Sequence, residues 1–168
     1  MDIDNIFEIY KDEETCRYLL HKPWTSATKD SEFQKKLSEN CLTRTSPISL
    51  ACELGNVVIG DISIWYTDMK ETVEIGFVFN KNYAGKGYAT EALKAVIDFL
   101  FAVEKVHRIQ ANLDSRNISS AKLCERLGMR QEAHFIEDYW NKGEWTDSFV
   151  YGMLLSDFSH VAGQGVQK

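Results

Sequence analysis

At 168 residues the chain has the size of one compact domain, and its 44% apolar and 12% aromatic residues are enough to fill a core, which excludes general disorder. Its 25 Asp and Glu outweigh 19 Lys and Arg, and the resulting net charge of -6 argues against a general affinity for nucleic acid or anionic membranes. No apolar run nears the roughly 18 residues of a membrane span, and Met1-Asp2-Ile3-Asp4 has neither the basic region nor the apolar stretch of an export signal, so a cytoplasmic location is expected.

Residues 1–20 read as helical, with Ile3, Ile6, Phe7 and Tyr10 at helical spacing and Tyr18, Leu19 and Leu20 ahead of a break at Pro23. A second helix is predicted over 30–41. Ile48, Leu50 and Cys52 alternate as in a strand, Gly55-Asn56 makes a turn, and 58–65 return as the second strand of a hairpin. A polar connection follows, then a third strand at 72–79 whose internal Gly76 marks a bulge or a close backbone approach. A turn containing Gly85-Lys86-Gly87 opens an amphipathic helix with Ala89, Leu93, Val96, Ile97, Leu100 and Phe101 on one stripe. Residues 107–113 predict a strand, 117–127 a helix ended by Gly128, and 130–139 with 144–155 a hairpin around Asn141-Lys142-Gly143. A single domain over 1–156 with a flexible tail at 157–168 is expected.

Cys16, Cys41, Cys52 and Cys124 lie far apart and lack zinc-site spacing, and the four histidines are scattered, so reduced thiols and no metal are expected. The element order implies an α/β fold with a mixed sheet, in which the third strand, the long helix and the fourth strand form a β-α-β crossover. Glycines at its strand-to-helix turn let backbone N–H groups converge at the positive end of a helix, which suits a phosphate. The stretch 82–90 is neither a P-loop nor a G-x-G-x-x-G dinucleotide fingerprint, so at this point a phosphate site and an ordinary tight turn both stay open.

Three further stretches accompany that turn in order. Glu74-Ile75-Gly76-Phe77-Val78-Phe79 precedes it, Thr90-Glu91-Ala92-Leu93 follows it, and Asn117-Ile118-Ser119-Ser120 opens a helix ending in Glu125-Arg126-Leu127-Gly128-Met129. The set resembles the acetyl-CoA-dependent GNAT superfamily of N-acetyltransferases, within it the branch of bacterial ribosomal-protein N-terminal acetyltransferases. The resemblance implies a GNAT-like, mostly antiparallel mixed sheet with a central splayed parallel strand pair, flanked by helices. It implies direct acetyl transfer from acetyl-CoA to a primary amine, on a protein or peptide N-terminus or on a small molecule, with no metal, no nucleic acid, no membrane and a possible homodimer. The CoA pyrophosphate would rest on Ala84, Gly85, Lys86, Gly87, Tyr88, Ala89 and Thr90. Val78 and Phe79 would pair with the pantetheine, with Asn112 and Asn117 beside it, Glu74 as general base and Ser120 bonding the departing sulfur.

Several positions depart from the resemblance. Ala84 stands where relatives carry Arg or Gln, with Lys86 as partial compensation, and Cys124 stands where many carry a tyrosine acid and reads as a packed apolar residue. The first strand of relatives, roughly Leu-Arg-Pro-Leu, has no counterpart before the first helix, which would leave a sheet edge open to pairing. Trp24 and Trp65 read as acceptor-pocket or core residues, and Asp147 as a contact for a cationic acceptor. These departures keep a non-catalytic acyl-CoA sensor of the same fold as the alternative.

Overall fold

The computed structural model describes residues 2–158. The tail expected at 157–168 therefore lies, from 159 onward, outside the described residues. Helix α1 (Ile3–Tyr10) starts where the Asp2 carboxylate accepts the N–H groups of Asp4 and Asn5 at 2.8 and 3.1 Å. The helix predicted over 1–20 is corrected to two: Asp12 accepts from the N–H and hydroxyl of Thr15, both at 2.7 Å, and so caps a separate short helix α2 (Glu13–Cys16). Helix α3 (Lys29–Ser38) is shorter than the predicted 30–41 because the chain leaves it to meet the sheet, where the Glu39 carbonyl accepts from Ser49 N–H at 2.8 Å and Asn40 bridges Ile48.

The strands are β1 (Ile48–Leu54), β2 (Val57–Tyr66), β3 (Thr72–Phe79), β4 (Arg108–Asp114), β5 (Arg130–Asn141) and β6 (Glu144–Leu154), with α4 (Tyr88–Ala102) and α5 (Ile118–Arg126) between β3, β4 and β5. They form one six-stranded sheet in the order β1-β2-β3-β4-β6-β5, in which only β3 and β4 run parallel. Their pairing is limited to Thr72 with Arg108, Val73 with Ile109 and Glu74 with Gln110. Beyond those rows the two strands part, while β3 stays paired to β2 as far as Phe79 and β4 to β6 as far as Asp114.

Alternation along each strand sorts side chains to two faces. On one face Ile62, Ile64, Val73, Ile75 and Ile109 pack under Leu93, Ile97, Leu100 and Phe101 of α4 and Ala121, Leu123 and Cys124 of α5. On the other, Val58 and Val78 meet Ile6, Ile9 and Tyr10 of α1, Cys16 of α2, Phe33 of α3 and, from the segment between α2 and α3, Trp24. The bulge considered at Gly76 does not occur: β2 and β3 keep register through it. The close backbone approach is not found either: a Cβ at Gly76 would meet only the Trp65 indole, at 3.4 Å. Gly60 is required, because the Phe79 ring lies where its Cβ would be, 2.2 Å away.

Candidate active site

Where β3 and β4 part, Glu74 holds the last paired row and stands half-buried on the face that carries Trp65, Gly76 and Val78. Its Oε2 accepts from Gln110 Nε2 and from Asn112 Nδ2, each at 2.8 Å. A cavity of about 700 Å³ opens over it, between the sheet, the α1–α3 layer and the β5–β6 hairpin. Trp24 and Trp65 both line this cavity; Trp24 is buried and stacks on Tyr10 at 4.7 Å with 13° between the rings. Of the residues expected beside the thioester arm, Val78, Asn112, Asn117 and Ser120 line the cavity, and the Phe79 ring turns back over Gly60.

The turn at 84–90 lies apart from that cavity, past a single 3-10 turn at Lys81–Tyr83. Gly85 and Gly87 hold φ of +76° and +85°, conformations in which a side chain is strained, and open space surrounds both positions. Gly87 is the N-cap of α4, and no side chain caps that helix, so the first N–H groups of α4 are left to an outside acceptor. Lys86 places its ammonium over the Tyr83 ring, 5.8 Å from the centroid, which keeps a cation at the turn where Ala84 supplies none. A glycine cradle at an uncapped helix start, next to two parted strands, fits a diphosphate carrying a long arm.

Asn117 caps α5: its Oδ1 accepts the Ser120 N–H at 3.1 Å. Asn117 thus fills the helix-start role, and the Ser120 hydroxyl has no hydrogen-bond partner among the described residues. Cys124 lies fully buried in the core under α5, and burial pushes its thiol up to about 12. It therefore does not face the cavity. Asp147 is likewise not on the cavity wall: its Oδ1 accepts Glu137 N–H at 2.8 Å and its Oδ2 lies 3.5 Å from His134 Nε2, contacts that fasten the hairpin.

Several cavity residues carried no signal in the sequence. Asp61 on β2 is buried and accepts from the Tyr10 hydroxyl at 2.5 Å, the Ser49 hydroxyl at 2.7 Å and the Lys36 ammonium. Burial, followed by the Asp61 charge, raises the Tyr10 phenol well above its ordinary value. The arm of the β5–β6 hairpin walls the cavity with Tyr139, Asn141 and Thr146. Lys142 at its tip donates to the Cys16 carbonyl at 2.6 Å and the Arg17 carbonyl at 3.2 Å, and Arg116 ties Asp114 (2.7 Å) to Glu144 (2.9 Å). Such long-range pairings have no local pattern to announce them. Among the described residues no group of three or more His, Cys, Asp and Glu is placed to hold a metal ion, and no helix is long and apolar enough to cross a membrane.

The family model described as acetyltransferase (GNAT) domain matches residues 1–130. The chain is 30% identical over 158 residues to YnaD, named an uncharacterized N-acetyltransferase, of Bacillus subtilis strain 168, covering 94% of this chain and 91% of that one. It is 29% identical over 104 residues to the ribosomal protein uS5-alanine N-acetyltransferase of Escherichia coli K12, covering 62% of this chain and 50% of the other. The crystal structure of a GNAT-family acetyltransferase from Bacillus anthracis superposes with a TM-score of 0.82 at 28% identity, over 92% of this chain and 90% of that one.

Proposed function

Because the chain belongs to the GNAT acetyltransferase family, whose members draw on acetyl-CoA, we propose that it transfers the acetyl group directly to a primary amine with Glu74 as general base. The observation that carries this reading is the position of Glu74 at the mouth of the parted strands, on the wall of the cavity and with Oε2 held by two amides. The amine nitrogen forms a bond to the thioester carbonyl carbon as the carbon–sulfur bond breaks. Its proton goes to Glu74, directly or through water, and the Ser120 hydroxyl donates to the departing sulfur. Acetyl-CoA supplies the activated acyl group; the 84–90 turn holds its diphosphate and the gap between β3 and β4 its arm.

A neutral nucleophile is the main demand. At pH 7 an α-amino group costs about 1 kcal/mol to deprotonate and a lysine side chain about 4.6 kcal/mol, so one carboxylate base suffices most readily for an N-terminal amine. The cavity favours a cationic acceptor: Glu32, Glu39, Asp61, Glu74, Asp114 and Asp138 line it against Lys35 and Lys36. Glu39 and Asp138 have no ion-pair partner among the described residues, whereas Glu32, Asp61 and Asp114 do.

Free-thiol release with a panel of peptides, polyamines, aminoglycosides and amino acids tests the reading. Glu74→Gln is expected to lower kcat by about 100-fold or more while acetyl-CoA affinity, followed by calorimetry, persists. Unchanged turnover would refute the base role, and acetyl-CoA binding with no release from any acceptor would favour the sensor.

A further inference from the structure

The carboxylates on the cavity wall are held in different ways. Glu32, Asp61 and Asp114 answer to lysine or arginine, whereas Glu74 is met by amides alone. Both amides converge on Oε2, and among the described residues Oε1 accepts no hydrogen bond. The two donors are not equivalent. Gln110 is the register partner of Glu74 in the last paired row of β3 and β4, half-buried, while Asn112 is exposed and reaches from beyond the point where the strands part.

The polarity of the Gln110 amide is set from behind. Arg108, two residues back on the same strand face, donates its Nε to Gln110 Oε1 at 3.5 Å, and its guanidinium is held by Glu132 through two bonds of 3.2 and 2.5 Å. With the amide oxygen turned to a fixed cation, its NH2 group must point to Glu74. A chain of side chains therefore runs Glu132, Arg108, Gln110, Glu74, from the surface to the cavity wall.

From this geometry we propose that Gln110, oriented by Arg108, is a positioning residue that fixes Oε2 of Glu74 and so presents Oε1 as the oxygen that takes the proton of the attacking amine. The inference rests on the reading of Glu74 as base. It assigns Gln110 no contact with either substrate, so its loss is read in the chemical step.

Gln110→Met keeps the length of the side chain and removes the donor. The expected result is a fall in kcat of about tenfold, with the acceptor KM and the acetyl-CoA affinity unchanged. Arg108→Met, which leaves Gln110 in place but frees its amide, is expected to lower kcat by a smaller factor in the same pattern, and it serves as the reading should Gln110→Met not fold. Full turnover in both variants with Glu74→Gln inactive overturns the positioning role and leaves the base standing. Full turnover in Glu74→Gln removes both. A loss confined to acetyl-CoA affinity or acceptor KM also overturns the proposal, because it would make Gln110 a wall residue.

Discussion

Lys36→Met isolates the charge pair that pins α3 to the sheet. The Lys36 side chain is 14% exposed and Asp61 1%, so removing the ammonium leaves a carboxylate buried in a wall with only the Tyr10 and Ser49 hydroxyls to satisfy it. Breaking a buried pair from one side costs about 3 to 5 kcal/mol, and two surviving donors place this case at the low end, about 3 kcal/mol. In a chain of this size each kcal/mol moves Tm by about 2–4 °C, so a fall of about 9 °C is expected. The double variant Lys36→Met, Asp61→Asn neutralises the stranded charge and should return to within about 1 kcal/mol of the parent. Urea and thermal unfolding of the parent, both single variants and the double variant form the cycle. A single variant Lys36→Met within about 0.5 kcal/mol of the parent would refute the argument that Asp61 depends on this cation.

Gly87→Glu puts a side chain and a negative charge at a left-handed position in the phosphate turn, and acetyl-CoA affinity by calorimetry is expected to fall at least tenfold; unchanged affinity would remove the turn from the site. Lys142→Ala frees the hairpin arm from the carbonyls of Cys16 and Arg17, so the acceptor KM should rise severalfold while acetyl-CoA affinity stays constant, as measured by steady-state kinetics and calorimetry. Among the thiols, exposed Cys41 should be alkylated first in the native protein, with buried Cys16 and Cys124 held back because burial pushes them up to about 11 and 12. Since the thiolate is the nucleophile, their labelling should increase only as pH climbs towards those values; fast native labelling of Cys124 at pH 8 would contradict its place in the core.

The strands and the long helix α4 were legible because alternation and the 3.6-residue stripe are local signals, and the turn glycines at 85 and 87 announced a backbone that only glycine adopts easily. The first helix was misread because Asp12 looks like one more polar residue of a helix until its carboxylate is seen capping Thr15. The candidate base at Glu74 came from resemblance, and its setting could not: the bonds from Gln110 and Asn112 join positions 36 and 38 residues away. The same holds for Asp61, whose partners come from α1, β1 and α3, and for Lys142, whose partners lie more than a hundred positions earlier. Asp147, expected to touch a cationic acceptor, is met instead by the Glu137 N–H and His134, ten and thirteen positions earlier across the hairpin.

With β3 and β4 joined by only three paired rows, the sheet is two three-stranded leaves that share one short hinge, bridged from below by α4. A molecule threaded between the free ends would fasten the leaves like the tongue of a buckle. By linkage, a ligand at a hundred times its Kd adds about 2.7 kcal/mol, which for a chain of this length is a rise in melting temperature of about 5–11 °C. If the gap is where the acyl donor sits, as proposed, the thermal stability of the protein is tied to donor supply: without it the two leaves are held together by three paired rows and α4 alone.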